Sequence, residues 1–399
     1  MTSSITFFPV GCGDMSLVQL ADGSSIIIDI NIRKSADDSN DDAYPDVVTP
    51  LRDKLKADLD GRPYVDAFLL SHPDEDHCKG LMKHFYLGKL EDYPDDNKAQ
   101  SEKRIIIREM WSSPLVFRRA TSKAESEGYS LCDDASAWAA EARRRAKINK
   151  ETPLGGVGAG DRLLIMGEDE NGKTDDLQHI LVKRGEKFNQ INGRRTWCFE
   201  ASLLAPLAEA DKDDEAVFSK NDSSVVINIQ IAADDSATDG CRFLTGGDAK
   251  VGIWRKLWQL YKGSPVVLEY DLLQAPHHCS WGSLSEDSWS KGGDSKTVSE
   301  EALNALSQAR SGAQIISSSK PIKEDDADPP CIGAKDEYVK IVNRVKGEFF
   351  CTGEHPGEDS PAPLTFEITP EGPQPPAKKD SGRSFSSMSI AAKRPIEHG

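Results

Sequence analysis

Two histidines and three acidic residues are crowded into one short stretch, residues 69–80, LLSHPDEDHCKG. Imidazole nitrogens and carboxylate oxygens together suit Zn²⁺, Mn²⁺ or Fe²⁺. His72, Asp74, Asp76 and His77 fall within six residues, so the stretch predicts a metal site that activates water for hydrolysis. The alternative is a charged surface loop with incidental histidines. The small number of histidines, eight in the chain, and the apolar run just before the cluster both disfavour it.

The elements around this stretch predict how it is held. VDAFLLS, residues 65–71, has the pattern of a short buried strand, and GLMKHFYLGKL, residues 80–90, has helical apolar spacing. The cluster is therefore expected in a strand-to-helix loop, where catalytic groups are common. Near the N-terminus, Asp22-Gly23 between two β-rich runs is a strong hairpin signal. A charged run at residues 46–59 predicts a helix.

Strand and helix patterns alternate through the rest of the chain. Residues 134–150, DASAWAAEARRRAKINK, predict a helix, and so do residues 251–263. Thr297 with Glu300 forms the pattern of a capping box at the start of another helix. Two β-rich halves with helices outside them predict an α/β fold, a four-layer αββα sandwich over residues 1–369. A less regular insertion occupies about residues 88–200, and residues 370–399 read as a disordered tail.

Composition narrows the class of protein. The formal charge is −17 over 399 residues, which argues against a surface that coats nucleic acid non-specifically. No run approaches the ~20 apolar residues of a membrane span, and no signal peptide is evident. A soluble cytoplasmic protein with no membrane partner is expected. The eight cysteines are expected as reduced thiols; Cys78 and Cys279, which adjoin ligand candidates, are expected to pack rather than to act as ligands or redox sensors.

Several motifs in sequence order resemble the metallo-β-lactamase family of metallohydrolases. Residues 72–77, HPDEDH, resemble the H-x-D-x-D-H variant of its metal-binding signature. Residues 10–14, 221–225, 243–248 and 275–280, which read VGCGD, NDSSV, FLTGGD and APHHCS, resemble landmarks of the ComEC/Rec2-like branch. The resemblance spans most of the chain and implies the family's αββα sandwich with a lid-like insertion.

The resemblance also implies a centre of two divalent metal ions, Zn or Mn, with Fe as a further choice. Its metal ligands would be His72, Asp74, Asp76, His77, Asp248 and His277. The first two would hold the first ion and the next two the second ion. Asp248 would bridge both ions, and His277 would complete the second site.

Three residues are candidates for catalysis at this centre. Asp76 is one, in addition to its role as a ligand. His278 would lie outside the ligands or donate a proton, and Lys79 would meet a substrate phosphate or, alternatively, be a solvated lysine at a helix start. Asp74 stands where the family more often has His, which favours harder ions such as Mn²⁺ or Fe²⁺. A further family histidine has no obvious counterpart here, which predicts a weakly held first ion.

The ligands alone leave the reaction open, because a metal-bound hydroxide attacks phosphorus and carbonyl centres alike. The branch resemblance favours a phosphodiesterase or nuclease whose substrate is nucleic acid or a nucleotide. Residues 102–150 hold eleven Lys or Arg against seven Asp or Glu, and residues 181–195 hold five against one. Such basic stretches would attract an anion, although a solvated helix end explains the first equally well. The alternatives are an acyl hydrolase of a lactone, thioester or β-lactam, and a protein-binding accessory of a bacterial defence or stress system.

Overall fold

Two large β-sheets organise the part of the chain that this computed structural model describes, residues 2–37, 44–114, 131–152, 156–167, 174–207, 224–236, 239–290, 296–324 and 328–376. In spatial order the first sheet contains Leu181–Val182 (β12), Arg162–Met166 (β11), Glu109–Ser112 (β10), Ala67–Leu70 (β7), Ser25–Ile28 (β3), Ser16–Gln19 (β2), Ser4–Phe7 (β1), Leu364–Thr369 (β22) and Gly372–Gln374 (β23). The second contains Lys187–Phe188 (β13), Phe199–Ala205 (β16), Val226–Ile231 (β17), Cys241–Thr245 (β18), Tyr270–Gln274 (β19), Ala309–Ser317 (β20) and Glu348–Cys351 (β21).

Both sheets are mixed. In the first, β3, β7, β10, β11 and β12 are parallel neighbours, while β2, β1, β22 and β23 pair antiparallel. In the second, β18 to β21 are parallel and β13, β16, β17 and β18 pair antiparallel. Shorter strands complete the description: Ile30–Asn31 (β4), Lys56–Ala57 (β5), Pro63–Val65 (β6), Phe85–Tyr86 (β8), Ile105–Ile107 (β9), Gln190–Ile191 (β14) and Arg194–Arg195 (β15).

Seven right-handed α-helical segments lie among the described residues. They are Val48–Lys54 (α1), Glu75–Cys78 (α2), Leu81–His84 (α3), Asp133–Glu151 (α4), Val251–Tyr261 (α5), Glu300–Leu306 (α6) and Ile332–Arg344 (α7). The predicted α/β class is therefore confirmed. None of the helices in the described ranges has the length and apolar character needed to cross a lipid bilayer.

Side chains alternate between the two faces of each sheet, and this alternation builds the core. In β7, Leu69 joins an apolar cluster shared by both large sheets, where Phe7 and Phe243 meet edge to face at 5.6 Å. Its neighbour Phe68 points the other way and packs against Trp138 of α4. The second sheet repeats the arrangement, with Leu244 packed among residues of α5, α6 and α7. At these positions, one side of each sheet packs in the shared apolar cluster and the other packs against helices.

This architecture gathers the chemically interesting segments at one edge. The strands β1, β3 and β7 run in the same direction, since β1 and β3 are both antiparallel to β2 and β3 is parallel to β7. Residues 10–14 follow β1 and residues 71–78 follow β7. In the second sheet, residues 246–248 follow β18 and residues 275–279 follow its parallel neighbour β19. Carboxyl ends of parallel strands are where open α/β sheets bind ligands.

Helix boundaries differ from the sequence predictions in three places. The helix expected at residues 80–90 is one turn, α3, because Phe85 and Tyr86 pair with β9 as strand β8. The helix expected at residues 46–59 ends at Lys54. Helix α6 is capped by Ser299, whose Oγ accepts a hydrogen bond from the Ala302 N–H, so the Thr297 capping box is wrong.

Two predicted boundaries also differ. The insertion expected at about residues 88–200 is not merely a lid, because it supplies β10, β11 and β12 to the first sheet. The first sheet runs past the expected domain end at residue 369, since Gly372–Gln374 pairs with Leu364–Thr369 as a hairpin. Gly372 has φ of +110°, a conformation that glycine adopts easily and that lets the chain turn back. Residues 377–399 of the predicted tail lie outside the described residues.

Candidate metal centre

The carboxylate of Asp248 lies at the middle of the gathered side chains. It is 3 % exposed and directly follows the Gly246-Gly247 turn after β18. One oxygen, Oδ2, lies 3.6 Å from His72 Nε2 and 3.5 Å from His277 Nε2. His72 Nε2 is in turn 3.7 Å from Asp74 Oδ2. These four side chains form the first set.

The other oxygen of Asp248 faces a second set. Asp248 Oδ1 lies 3.0 Å from His77 Nε2 and 3.4 Å from His278 Nε2. His278 Nε2 is also 3.3 Å from Asp76 Oδ2. The two sets therefore share Asp248 and divide its two oxygens between them, which is the geometry a bridging carboxylate needs.

The facing atoms of these sets have no hydrogen-bond partners among the described residues. Nε2 of His72, His77 and His278 and Oδ1 of Asp248 are buried, yet none makes a hydrogen bond of acceptable geometry. Buried polar atoms in native proteins nearly always have a partner, and an ion is one of the few explanations for a group of exceptions. Imidazole nitrogens and carboxylate oxygens that converge in this way fit divalent cations.

The opposite ring nitrogens of two histidines are held by buried carboxylates. His77 Nδ1 lies 2.8 Å from Asp29 Oδ2, and His278 Nδ1 lies 3.2 Å from Asp14 Oδ1. Asp29 also accepts a hydrogen bond from the Ser71 N–H at 2.7 Å. Carboxylates in this position fix the ring orientation and raise the basicity of the ligating nitrogen. Each imidazole of the second set thus has its own carboxylate.

Asp14 belongs to the tightest buried group of such side chains. With His77, Asp248 and His278 it can place ligand atoms that all lie within 4.8 Å of one another. Its own contacts are on the Nδ1 side of both rings, with Asp14 Oδ2 4.0 Å from His77 Nδ1. We therefore assign Asp14 to the support of the imidazoles rather than to the ions.

Charge balance in the cluster favours cations. Burial alone would lower the pKa of His77, but Asp248 and Asp29 hold it well above its usual value. Burial would likewise lower the pKa of His278, and Asp248 and Asp14 hold it well above. The pKa of Asp248, which burial would raise, is held well below its usual range by the neighbouring imidazoles. Divalent cations would replace the protons that these carboxylates retain on the rings.

A left-handed turn brings both neighbouring histidines to Asp248. His277, His278 and Cys279 have φ of +52°, +54° and +68°. Each such non-glycine residue costs roughly 1–2 kcal/mol. The His277 N–H donates to Gly247 O at 2.9 Å, and Cys279 O accepts from the Cys331 N–H at 3.0 Å, so both sides of the turn are tied down. Consecutive strained residues of this kind are concentrated at functional sites.

Asp248 is positioned by close packing between segments that follow the two large sheets. Gly247 has φ of +47°, and a Cβ there would lie 2.6 Å from Ser71 Oγ. The Asp248 N–H donates to Ser224 Oγ at 3.2 Å, and Val225 N donates to Ser71 O at 3.0 Å. Ser224 and Val225 end the NDSSV motif, whose residues 221–223 lie outside the described residues.

The structure brings together every residue expected as a ligand, but it distributes them differently. His278 Nε2 faces Asp76 and Asp248 in the second set, the place expected for His277. His277 faces the first set instead. Each set therefore has two histidines and two carboxylates, with Asp248 shared between them. That these residues bind metal remains a prediction.

Lys79 does not contact the cluster in the described residues. Its Nζ pairs with Glu75 Oε1 at 2.7 Å, one helical turn earlier, and its side chain is 41 % exposed. This matches the solvated-lysine alternative. Asp76 has an equally exposed side chain, and those of Asp74 and His277 are each 20 % exposed, so the cluster opens to solvent along these three residues.

Two arginines of the first basic stretch are paired within the part of the fold that the structure describes. In α4, Arg144 pairs with Glu141 and with Asp161, in each case at 2.6 Å. Arg145 is 1 % exposed and pairs with Glu141 at 2.7 Å. These arginines fasten the helix to the fold and are not available to an anion.

In the second basic stretch, residues 181–195, Arg194 lies beside the N-terminal end of β7, whereas the cluster follows the C-terminal end. Arg194 approaches Asp66 at 4.0 Å, and Asp66 directly precedes that strand. His72 follows the other end, six residues later, which is roughly 20 Å away for an extended chain. Lys187 of the same stretch pairs with Glu200. Arg194 and Lys187 are thus placed away from the cluster, and the attraction of an anionic substrate by this stretch stays a prediction.

Comparison of the chain with protein-family models gives no match, and comparison with curated proteins gives none either. The class of protein therefore has to be argued from the residues and their arrangement.

Proposed function

We propose that this chain is a metal-dependent hydrolase with the four-layer αββα sandwich of the metallo-β-lactamase family, and that it cleaves phosphodiesters. The fold assignment is supported by two large sheets that share one apolar core, each with helices packed on its outer face. It is also supported by the order in which the motif segments follow β1, β7, β18 and β19.

One observation carries the functional proposal. Buried Nε2 atoms of three histidines and Oδ1 of Asp248 converge without hydrogen-bond partners in the described residues. Two divalent ions held there would lower the pKa of a water molecule and neutralise charge on a substrate. The chain's own part is to divide the oxygens of Asp248 between two sets of ligands, and to hold His77 and His278 rigid through Asp29 and Asp14.

Phosphodiesters are favoured over carbonyl substrates by the resemblance and by the oxygen content of the ligand set. Asp74, Asp76 and Asp248 give each set two carboxylates, which suits hard ions such as Mn²⁺ that also bind phosphate oxygens. The whole chain carries a formal charge of −17, and Arg144 of its basic helix is paired with Glu141. Bound cations would therefore be the main source of attraction for a phosphate group at this site.

The proposal is tested by metal analysis followed by a substrate panel. Protein purified without chelator is assayed with Zn²⁺ or Mn²⁺ on a bis-aryl phosphate, single-stranded DNA, RNA, cyclic nucleotides and a lactone. The variant Asp248→Asn removes the bridging charge, and Asp96→Asn is its matched control. Asp96 is an exposed aspartate that pairs with Arg62.

We expect hydrolysis of at least one phosphodiester, a loss of at least ~100-fold in Asp248→Asn, and wild-type rates in Asp96→Asn. Hydrolysis of the lactone alone would instead support the acyl hydrolase. Absence of bound metal, or full activity in Asp248→Asn, would refute the metal-dependent mechanism.

A further inference from the structure

Two cysteines face each other directly behind the ligand-bearing turn. Cys78 Sγ and Cys132 Sγ are 3.7 Å apart, although 54 residues separate them in sequence. Cys78 is buried and ends α2, next to His77. Cys132 is partly exposed and precedes α4. A disulfide needs the sulfur atoms ~2 Å apart, so a closure of under ~2 Å would join them.

Cys132 occupies a position that stabilises a thiolate. It is the N-cap of the 19-residue helix α4, and its Sγ accepts a hydrogen bond from the Ala135 N–H at 3.4 Å. The N-terminal end of a helix favours negative charge. The hydrogen bond from Cys78, supported by the one from Ala135, lowers the pKa of Cys132 to about 7, against the effect of burial.

We propose that Cys132 and Cys78 form a hydroperoxide-reactive thiol pair, in which Cys132 is the attacking thiol and Cys78 the resolving thiol. The Cys132 thiolate attacks one peroxide oxygen, which breaks the O–O bond and yields a sulfenic acid and water. The Cys78 sulfur then displaces the hydroxyl group as a second water and forms the disulfide. The two thiols together give two electrons and two protons to one peroxide.

The disulfide would act on the segment that holds the ligands. Cys78 Sγ also lies 3.1 Å from the backbone O of Asp74, an alternative acceptor for its single S–H, and oxidation of the sulfur removes that hydrogen. Asp76 and His77 lie in α2, so a shift of Cys78 toward Cys132 moves their backbone. We expect oxidation to weaken binding at the metal centre. This consequence rests on the proposed function, whereas the thiol chemistry does not.

The site is tested on the full chain with hydrogen peroxide at one to ten equivalents. The reaction is quenched with an alkylating reagent, and peptides are mapped by mass spectrometry. Cys132→Ser retains an N-cap side chain, because serine is a preferred capping residue. Cys78→Ser removes only the resolving thiol. Cys12, the other partly exposed cysteine, is an internal reference for ordinary thiol reactivity.

We expect a cross-link between the peptides of Cys78 and Cys132 that a dithiol reductant reverses. We also expect no such product in Cys132→Ser, and a sulfenic acid that dimedone traps at residue 132 in Cys78→Ser. Absence of the cross-link, or oxidation of Cys12 as fast as of Cys132, would overturn the thiol pair.

The coupling to the metal centre has its own measurement. Co²⁺ titration of the oxidised and reduced protein should show binding at least ~10-fold weaker after oxidation, with no difference in Cys132→Ser. Equal Co²⁺ affinity in both forms would refute the coupling. A protein that cross-links but binds no metal in either form would refute the proposed function and leave the thiol pair standing.

Discussion

Replacement of Asp14 by asparagine tests how the second set of ligands is held. Asp14 is 2 % exposed, and its Oδ1 lies 3.2 Å from His278 Nδ1. Asparagine keeps the size of the side chain and a carbonyl oxygen that can accept the same hydrogen bond. It removes the negative charge that makes the ring a stronger ligand. The change is therefore confined to electrostatics.

The size of the effect follows from this single contact. Asparagine would turn a hydrogen bond that involves a charged group, ~1.5–3 kcal/mol, into a neutral one of ~0.5–1.5 kcal/mol; the difference of ~1–1.5 kcal/mol corresponds to roughly a 5- to 13-fold change in an equilibrium constant. Loss of a partner behind a metal ligand usually costs ~10- to 100-fold in affinity. We expect Asp14→Asn to weaken binding of the ion at the second set by about that factor. The affinity for the ion at His72, Asp74 and His277 should be unchanged.

Titration with Co²⁺, followed by visible absorption and by isothermal calorimetry, measures the affinity of each of the two sets of ligands. Asp29→Asn, which acts on His77 in the same way, should give a loss of similar size, and the exposed Asp96→Asn should give none. Wild-type affinity for both ions in Asp14→Asn would refute the supporting role. A loss far beyond 100-fold would contradict our assignment too, because it would mean that Asp14 binds an ion directly.

Three further predictions concern stability. Gly247→Ala should lower the free energy of unfolding by ~2 kcal/mol and weaken Co²⁺ binding, because its Cβ would lie 2.6 Å from Ser71 Oγ; Gly252→Ala in α5, where nothing lies within 4 Å, should be neutral or slightly stabilising in the same urea titration. Burial lowers the pKa of His84 to about 4 in the folded protein. As pH falls below 6.5, the imidazole is therefore protonated in the unfolded chain before it is protonated in the folded one, and about 3 kcal/mol of the free energy of unfolding should be lost toward pH 4. Urea midpoints that fall equally in His84→Gln would contradict this. Chelation of divalent ions should lower the melting temperature. If the ions are present at about 100 times their Kd, their removal should cost ~2.7 kcal/mol of stability. An unchanged melting temperature in a thermal scan would count against a metal centre.

Local sequence patterns predicted the elements whose stability is mostly local. Residues 134–150 were expected to be helical, and α4 spans Asp133–Glu151, because alanine-rich spacing and acidic residues in the first turn agree with one another. The helix expected after the metal-binding stretch failed for the opposite reason. Phe85 and Tyr86 have helical spacing, but they form a strand because β9 is there to pair with them. Such pairing depends on residues distant in sequence.

In the candidate site, too, the features that depend on local sequence were predicted and those that depend on distant contacts were not. Residue type and spacing pointed to His72, Asp74, Asp76 and His77, because metal chemistry restricts the side chains that can serve. Asp248 and His277 were expected only through the family resemblance, and the structure brings all six together. The supporting roles of Asp14 and Asp29 were missed, although Asp14 ends the VGCGD motif at residues 10–14. A carboxylate behind an imidazole has no fixed spacing from it: Asp29 is 48 residues from His77, and Asp14 is 264 from His278.

The sequence by itself therefore determined which side chains could bind ions and which strands would carry them. Only the tertiary structure decided which of the adjacent histidines faces which oxygen of Asp248. That choice depends on the left-handed turn at His277 and His278, which backbone contacts to Gly247 and Cys331 hold in place. It also decided that Arg144 has an acidic partner outside α4, because Asp161 approaches it from a later segment of the chain, in addition to Glu141 of the same helix. Contacts between distant segments set both outcomes, and no local pattern encodes such contacts.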